Sequence, residues 1–139
     1  MQIATGKGSL AALAGDGTRL YFSDVTSNGL APVLVVSTIL APSLGPSTVT
    51  ELARLTADNN NSPNAGGALT SDGTYVYFGG FSGIYRVLVG GPSCSVSALP
   101  CSTPELVVAD AIATALALDD SFLYYGDQNG PSGLKKIAK

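Results

Sequence analysis

The chain has 139 residues, the length of one ordinary domain, and only 12% of them are charged, with a net charge of −3. We expect no nucleic-acid partner, because the sequence holds no cluster of Lys and Arg that could neutralise phosphates. Histidine, the commonest general base and metal ligand, is absent from the sequence. We also expect no membrane span and no signal peptide. The most apolar stretch, 30–44, is short and contains two prolines, and residues 1–6 lack a charged start and an apolar run.

One sequence pattern occurs three times along the chain. Each copy begins with Ala-Leu, has an aspartate three residues after the Leu, and continues with a two-residue turn and a strand of apolar and aromatic residues. The aspartates are Asp16, Asp72 and Asp119, and the strands that follow are 19–22, 75–78 and 122–125. Asp-Gly between two apolar runs predicts a hairpin, because Gly accepts the positive φ that tight turns need.

Each of these strands is followed by a polar loop and a third strand, predicted at 33–36, 85–88 and 135–137. A fourth strand is predicted at 48–55 in the first copy and at 105–109 in the second, while the third copy ends before one. However, Ile3 precedes Leu13 by the spacing that separates Leu106 from Leu116. Residues 3–5 therefore have the position of a fourth strand, and the total becomes twelve strands in three units. Two stretches, 46–57 and 107–118, resemble helices, but β-branched residues and alternation weaken both interpretations.

These features predict an all-β chain of the β-propeller class with three four-stranded blades, because propeller blades are four-stranded repeats of about this length. The predicted segments are a strand within 1–8 that completes the last blade, a blade at 9–57, a blade at 64–111 and a partial blade at 112–139. The alternative is a β-sandwich, which predicts no such repeat.

Leu20–Asp24 and Leu123–Asp127 resemble the Tyr-Trp-Thr-Asp repeat of the six-bladed YWTD-type propellers, with Phe or Tyr where that family has Trp. The middle copy departs further, because Gly-Gly at 79–80 replaces the last two residues of the repeat. The chain is also similar to NHL-type propellers and to bacterial secreted propeller repeat proteins. The resemblance implies a six-bladed ring in which Asp24 and Asp127 brace neighbouring blades through hydrogen bonds. It specifies fold far better than function.

Three blades do not close a propeller, which typically has about four to eight. Either the chain is half of a ring that two copies close, or it is a fragment of a longer product. We expect the homodimer, because residues 3–5 of one copy would complete the last blade of the other and pair its open edge strand.

Cys94 and Cys101 lie in a loop rich in Pro, Ser and Gly between the third and fourth strands of the second copy. We predict a disulfide, against the alternatives of free thiols, a metal site or a redox pair. A metal site needs more ligands than two thiols, and a redox pair prefers Cys-x-x-Cys. A disulfide would favour an extracellular or periplasmic location, which the sequence leaves otherwise unknown.

The recurring Asp16, Asp72 and Asp119 have two interpretations. They could form a ring of carboxylates, or each could open its turn by accepting backbone N–H groups. We predict the turn role, because each of them stands directly before a turn pair.

The loops between second and third strands, and those between copies, would lie on one face of the ring at the mouth of its channel. They are rich in amides and carboxylates, which bind sugar hydroxyls and are also hard ligands for calcium. The predicted ligand-binding residues are Asp24, Asn28, Asp58, Asn59, Asn60, Asp127 and Asn129. No catalytic residue is assigned, because Ser has no His partner. Calcium is the one cofactor that the pattern leaves open, with its ligands unknown.

The sequence therefore favours a non-catalytic binding or scaffolding propeller module for a glycan or a protein. The alternative is a calcium-dependent propeller hydrolase or lyase with its site in the channel. That alternative requires acidic and amide ligands that converge at the axis.

Overall fold

The computed structural model describes residues 9–27, 32–40, 49–56, 67–91, 103–129 and 133–139. The described residues form eleven β-strands and no helix, so the chain is all-β, as the sequence predicts. The two stretches with a weak helical pattern, 46–57 and 107–118, contain strands instead, because their alternation and β-branched residues suit a pleated sheet. In the ranges given above, we find no helix long and apolar enough to cross a membrane.

The first sheet has four antiparallel strands in chain order. They are β1 (Ser9–Gly15), β2 (Arg19–Ser27), β3 (Pro32–Leu40) and β4 (Thr50–Thr56). β2 and β3 are longer than the predicted 19–22 and 33–36, because strand pairing continues past Phe22 and places Asp24 opposite Val35. The polar side chains after Phe22 do not end the strand, since the ladder satisfies their backbone groups.

The second and third sheets repeat this order, and the strands predicted at 75–78, 105–109, 122–125 and 135–137 lie within them. Sheet 2 consists of β5 (Leu69–Ser71), β6 (Tyr75–Gly79), β7 (Gly83–Leu88) and β8 (Glu105–Ala109). Sheet 3 has three strands within the described residues, namely β9 (Ala113–Leu118), β10 (Phe122–Asp127) and β11 (Gly133–Ala138). All neighbouring strands are antiparallel.

The three sheets stack in chain order around two hydrophobic cores. The core between sheets 1 and 2 includes Tyr21, Val36, Leu69 and Phe78. The core between sheets 2 and 3 includes Tyr77, Ile84, Leu123 and Tyr125. Complete burial of an aliphatic or aromatic side chain contributes about 1.5–3 kcal/mol, so these two cores dominate the stabilisation of the stack.

The first strand of each following sheet lies against the first two strands of the sheet before it. β5 contacts β1 and β2, and β9 contacts β5 and β6. We call the side of sheets 1 and 2 that is turned toward the next sheet in the chain the forward face, and the other side the rear face. In sheet 3, the forward face is the side turned away from sheet 2. The forward faces carry Tyr21 and Val36 in sheet 1, Tyr77 and Ile84 in sheet 2, and Tyr124 and Leu134 in sheet 3. The rear faces carry Leu13 and Phe22, Leu69 and Phe78, and Leu116 and Tyr125, respectively.

Candidate functional site

Antiparallel strands place successive connections at two opposite edges of the stack. The β6–β7 and β8–β9 connections and the start of the β10–β11 connection lie at one of them, which we call the loop edge. The β1–β2, β5–β6 and β9–β10 hairpin turns lie at the other, which we call the turn edge. The ligand-binding residues are predicted from the sequence to lie at the loop edge.

Of the predicted ligand-binding residues, Asp24, Asp127 and Asn129 belong to the described part of the chain. Asp24 is a buried residue inside β2 rather than a loop residue, because β2 continues to Ser27. Asp127 is the buried last residue of β10, and Asn129 is exposed just beyond it. The structure thus brings Asp127 and Asn129 together, while Asp24 lies in another sheet. The remaining residues, Asn28, Asp58, Asn59, Asn60, Cys94 and Cys101, lie outside the described ranges, and their ligand and disulfide roles stay predictions.

Asp127 has more hydrogen bonds than any other side chain described at the loop edge. Its Oδ1 accepts hydrogen bonds from the N–H groups of Ile112 (3.1 Å) and Asn129 (2.9 Å), and its Oδ2 accepts one from Lys135 Nζ (2.6 Å). The Lys135 ammonium above all, helped by these backbone donors, lowers the pKa of Asp127 below its usual range. Because Ile112 belongs to the connection between sheets 2 and 3, the carboxylate ties that connection to sheet 3.

Three connections form one surface at the loop edge. The N–H of Asp110 donates to the carbonyl of Ser82 at 2.9 Å, and Asn129 Nδ2 donates to the carbonyl of Asp110 at 3.3 Å. The N–H of Gln128 donates to the carbonyl of Ile112 at 3.0 Å. Asp110 has a φ of 57°, in the left-handed region that Asp tolerates better than most residues. The exposed polar side chains of this surface are Ser82, Asp110, Gln128 and Asn129.

Sheet 2 has different residues at the positions that correspond to Asp127 and Lys135. Gly80 has the position of Asp127, and the register of the two sheets gives Tyr85 the position of Lys135. A Cβ atom at Gly80 would lie 2.5 Å from the Tyr85 ring, so the missing side chain leaves room for that ring. The Tyr85 hydroxyl lies 2.6 Å from Ser82 Oγ, which connects the ring to the loop edge.

At the turn edge, the prediction that Asp16, Asp72 and Asp119 open their turns is confirmed. Each Oδ1 accepts hydrogen bonds from the N–H groups two and three residues later, at distances of 2.7–2.9 Å. The glycines of the two Asp-Gly turns have φ values of 89° and 84°, as these turns require. The third turn has Asp120 at that place, and Asp120 does not adopt a positive φ.

In the first and third turns, a tyrosine hydroxyl donates to the second carboxylate oxygen. Tyr21 donates to Asp16 Oδ2 at 2.6 Å, and Tyr124 donates to Asp119 Oδ2 at 2.7 Å. Burial alone would raise the pKa of Asp16, but the hydrogen bonds from Tyr21 and the turn outweigh it and hold this pKa well below its usual range. The Tyr124 hydroxyl, followed by the turn N–H groups, lowers the pKa of Asp119. These bonds are not predicted from the sequence. The Asp-x4-Tyr spacing could have suggested them, although the second copy has this spacing without the bond.

In the second turn, the last residue of the chain takes the place of the tyrosine. Lys139 Nζ lies 3.5 Å from Asp72 Oδ2, and the N–H of Lys139 donates to the carbonyl of Ser121 at 3.2 Å. Lys139 therefore connects the turn of sheet 2 with the turn of sheet 3.

An open groove of about 600 Å³ lies at the turn edge between the first two hairpins. Asp16, Arg19, Asp72 and Leu88 are among the residues that line it. Both carboxylates are engaged in turn hydrogen bonds, so they serve the hairpins first. The groove lies at the edge opposite the predicted ligand-binding residues.

Within the described ranges, no group of three or more His, Cys, Asp or Glu side chains is placed to hold a metal ion. Calcium binding therefore stays a prediction from the amide-rich and acidic loops.

No protein family matches the chain, and no curated protein matches it. Among solved structures, the crystal structure of the computationally designed Ika4 protein is similar, with 12% sequence identity and a TM-score of 0.43 over 99% of this chain and 96% of that chain. A likeness of this size carries no argument, so the function has to be inferred from the chain's own geometry.

Proposed function

We propose that the chain is a non-catalytic binding module of the propeller type, with a glycan as the ligand of its loop edge. The observation that carries this proposal is the set of cross-connection hydrogen bonds through Asp110. They join the β6–β7 connection of sheet 2, the link between sheets and the β10–β11 connection of sheet 3.

A surface held in this way suits ligand binding because little conformational entropy is left to lose on association. Ser82, Gln128 and Asn129 supply hydroxyl and amide groups that both donate and accept, and Asp110 supplies a carboxylate acceptor. This combination matches the hydroxyl groups of a sugar. The Tyr85 ring stacks on Phe78 and packs against the first core, and its hydroxyl contacts Ser82, so Tyr85 adds one more hydroxyl group to this set.

The propeller part of the proposal concerns the arrangement of the sheets. Three antiparallel sheets lie in chain order with their first strands adjacent, as blades do around an axis. Three blades would make half of a six-bladed ring, and a second copy would complete it. Residues 3–5 lie outside the described ranges, and their strand stays a prediction. In that ring, the predicted strand of one copy would pair with β11 of the other, which has a free edge within the described part of sheet 3.

A glycan array followed by titration calorimetry tests the binding function. We expect at least one class of glycan to bind without added metal, and Asn129→Ala to weaken that binding about tenfold, because it removes one directed hydrogen bond. The matched control is Thr74→Ala, an exposed polar residue at the turn edge, which should bind as the wild type does.

Two outcomes would contradict the proposal. If the folded protein binds no glycan but captures a protein ligand through the loop edge, the ligand class is wrong. If calorimetry finds a tight calcium site and the Asn129→Ala variant binds glycans unchanged, the calcium-dependent hydrolase or lyase replaces the binding module.

A further inference from the structure

Equivalent positions on the three forward faces differ in exposure. Val36, Ile84 and Leu134 occupy the same register position in sheets 1, 2 and 3. Val36 and Ile84 are 0% exposed, whereas Leu134 is 79% exposed. The first two are covered by the next sheet of the chain, so Leu134 marks a face that no sheet covers among the described residues.

The rear faces show the complementary difference. Leu13, Leu69 and Leu116 have the same position in the first strand of each sheet. Leu69 is 8% exposed and Leu116 packs against the second core, but Leu13 is 63% exposed, as is Leu10 on the same strand. β1 therefore exposes the leucines that the other first strands use for packing.

The forward face of sheet 3 has the side-chain arrangement of the covered forward face of sheet 2. The Phe122 and Tyr124 rings lie 6.3 Å apart at 59°, and the Tyr75 and Tyr77 rings have the same separation and angle. A cation from the third strand lies over the first ring of each pair, at 4.2 Å in sheet 3 and 4.7 Å in sheet 2. The uncovered face is thus already formed, and a partner could bind it without rearranging it.

The side chains of the first strands are also complementary in size. β1 turns Ala12 and Ala14 toward the core that contains Leu69 of β5. β9 turns Ala115 and Ala117 to its forward side, and both are exposed. The small residues of one strand leave room for the leucine of the strand that packs on it.

We propose that the forward face of sheet 3 binds the rear side of β1 in a second copy of this chain, with the partner's Leu13 packed against Leu134, Ala115 and Ala117. This inference rests on the proposed half ring and names the surfaces that close it. The contact repeats the innermost part of the two junctions inside the chain, where β5 lies against β1 and β2, and β9 against β5 and β6. Each copy has one surface of each kind, so two such contacts related by a two-fold axis close the ring.

The contact is confined to the inner strands. Phe22, Val33 and Val35 on the rear face of sheet 1 are already buried in the single chain, so they contribute no new buried area. The exposed leucines lie on β1, the strand that the junction pattern would place against β9 and β10.

The test is the mass in solution, measured by sedimentation over a range of concentrations, for the full chain and for Leu13→Arg and Leu134→Asp. We expect a wild-type dimer. Each variant should raise the dissociation constant about 100-fold or more, since both contacts of its dimer carry a substitution at a central apolar residue. A mixture of the two variants should regain dimer, because one of its two contacts is then wild type. Leu106→Asp, which changes an exposed leucine of β8, is the matched control and should dimerise normally.

Circular dichroism of each variant establishes that the chain is folded, and the mixture provides a second check because an unfolded variant could not restore its partner. A wild-type monomer at all concentrations would overturn both the half ring and this contact. A wild-type dimer that neither variant weakens would overturn the contact and leave the half ring standing. If Leu134→Asp alone weakens the dimer and the mixture regains nothing, two forward faces bind each other and the proposed pairing is wrong. Loss of glycan binding with dimerisation intact would concern the loop edge alone.

Discussion

The first and third hairpin turns make the same hydrogen bonds in different surroundings. In both, an aspartate binds two backbone N–H groups and a tyrosine hydroxyl, at nearly identical distances. Tyr21 is fully buried under sheet 2, however, while Tyr124 is partly exposed on the forward face of sheet 3. The comparison shows that the same local spacing can make the same bonds in two different surroundings, whereas the neighbouring sheet determines how much each side chain contributes to stability.

We expect the largest difference in the free energy of unfolding between substitutions at Ile84 and at Leu134. Ile84→Ala leaves a cavity between sheets 2 and 3 and should lower the free energy of unfolding by about 2–5 kcal/mol. Leu134→Ala, at the equivalent position, should lower it by less than about 0.5 kcal/mol in the single chain, because this side chain is exposed. Urea unfolding at a concentration too low for association measures both. Equal losses would mean that the forward face of sheet 3 is covered within one chain.

The next largest difference in stability is expected between loss of the Tyr21 hydroxyl and loss of the Tyr124 hydroxyl. Tyr21→Phe removes a hydrogen bond to a carboxylate at a buried position and should lower the free energy of unfolding by about 1.5–3 kcal/mol. Tyr124→Phe removes the same bond where water replaces it, so the loss should be clearly smaller. Thermal and urea unfolding of both variants measure the difference, and a larger loss for Tyr124→Phe would contradict the role assigned to burial.

A smaller effect is expected from the backbone of the two turns. Gly17 has a φ of 89° and open space around it, so Gly17→Ala should cost about 1–2 kcal/mol through backbone strain alone. Asp120 has the same place in the third turn without a positive φ, and Asp120→Ala should change stability by less than about 0.5 kcal/mol. If both substitutions cost the same, the two turns do not differ in backbone conformation.

The smallest change is expected between pH 5 and 8. The hydrogen-bonded carboxyls of Asp16, Asp72, Asp119 and Asp127 all have pKa values lowered by folding. Their stabilisation is complete above the unfolded value near 4 and is lost as the pH falls below it, because the unfolded chain then binds more protons than the folded one. The sequence has no histidine that would titrate at higher pH. Urea midpoints should therefore stay constant from pH 8 to 5 and fall below about pH 4, and a decline that begins near pH 6 would contradict this assignment.

Much of the fold could be predicted because its signals are local. The Asp-Gly pairs indicate hairpins through the backbone freedom of glycine, and the turn role of Asp16 follows from the reach of its short side chain. The ends of β2 and β3 could not be predicted in the same way. Asp24 is a polar residue of the kind common in loops, yet its pairing with Val35 extends the strand past it. That pairing depends on β3, which comes later in the chain.

The candidate site was predictable in composition but not in arrangement. Ser82, Asp110, Gln128 and Asn129 belong to the polar loops that the sequence places at one edge. The hydrogen bond from Asp110 to Ser82 joins two backbone groups, so no pattern of side chains predicts it. The role of Asp127 as an anchor for Ile112 likewise depends on where the link between sheets passes.

The exchange of Asp127 and Lys135 for Gly80 and Tyr85 has a consequence for the engineering of the three copies. An aspartate introduced alone at Gly80 would collide with the Tyr85 ring, and a glycine introduced alone at Asp127 would strip Lys135 of its ion pair. Exchange of either of these residues alone therefore costs stability, through a steric clash at Gly80 or through a lost ion pair at Asp127. A chain recombined from these units should therefore keep each pair intact, with Asp127 beside Lys135 or Gly80 beside Tyr85.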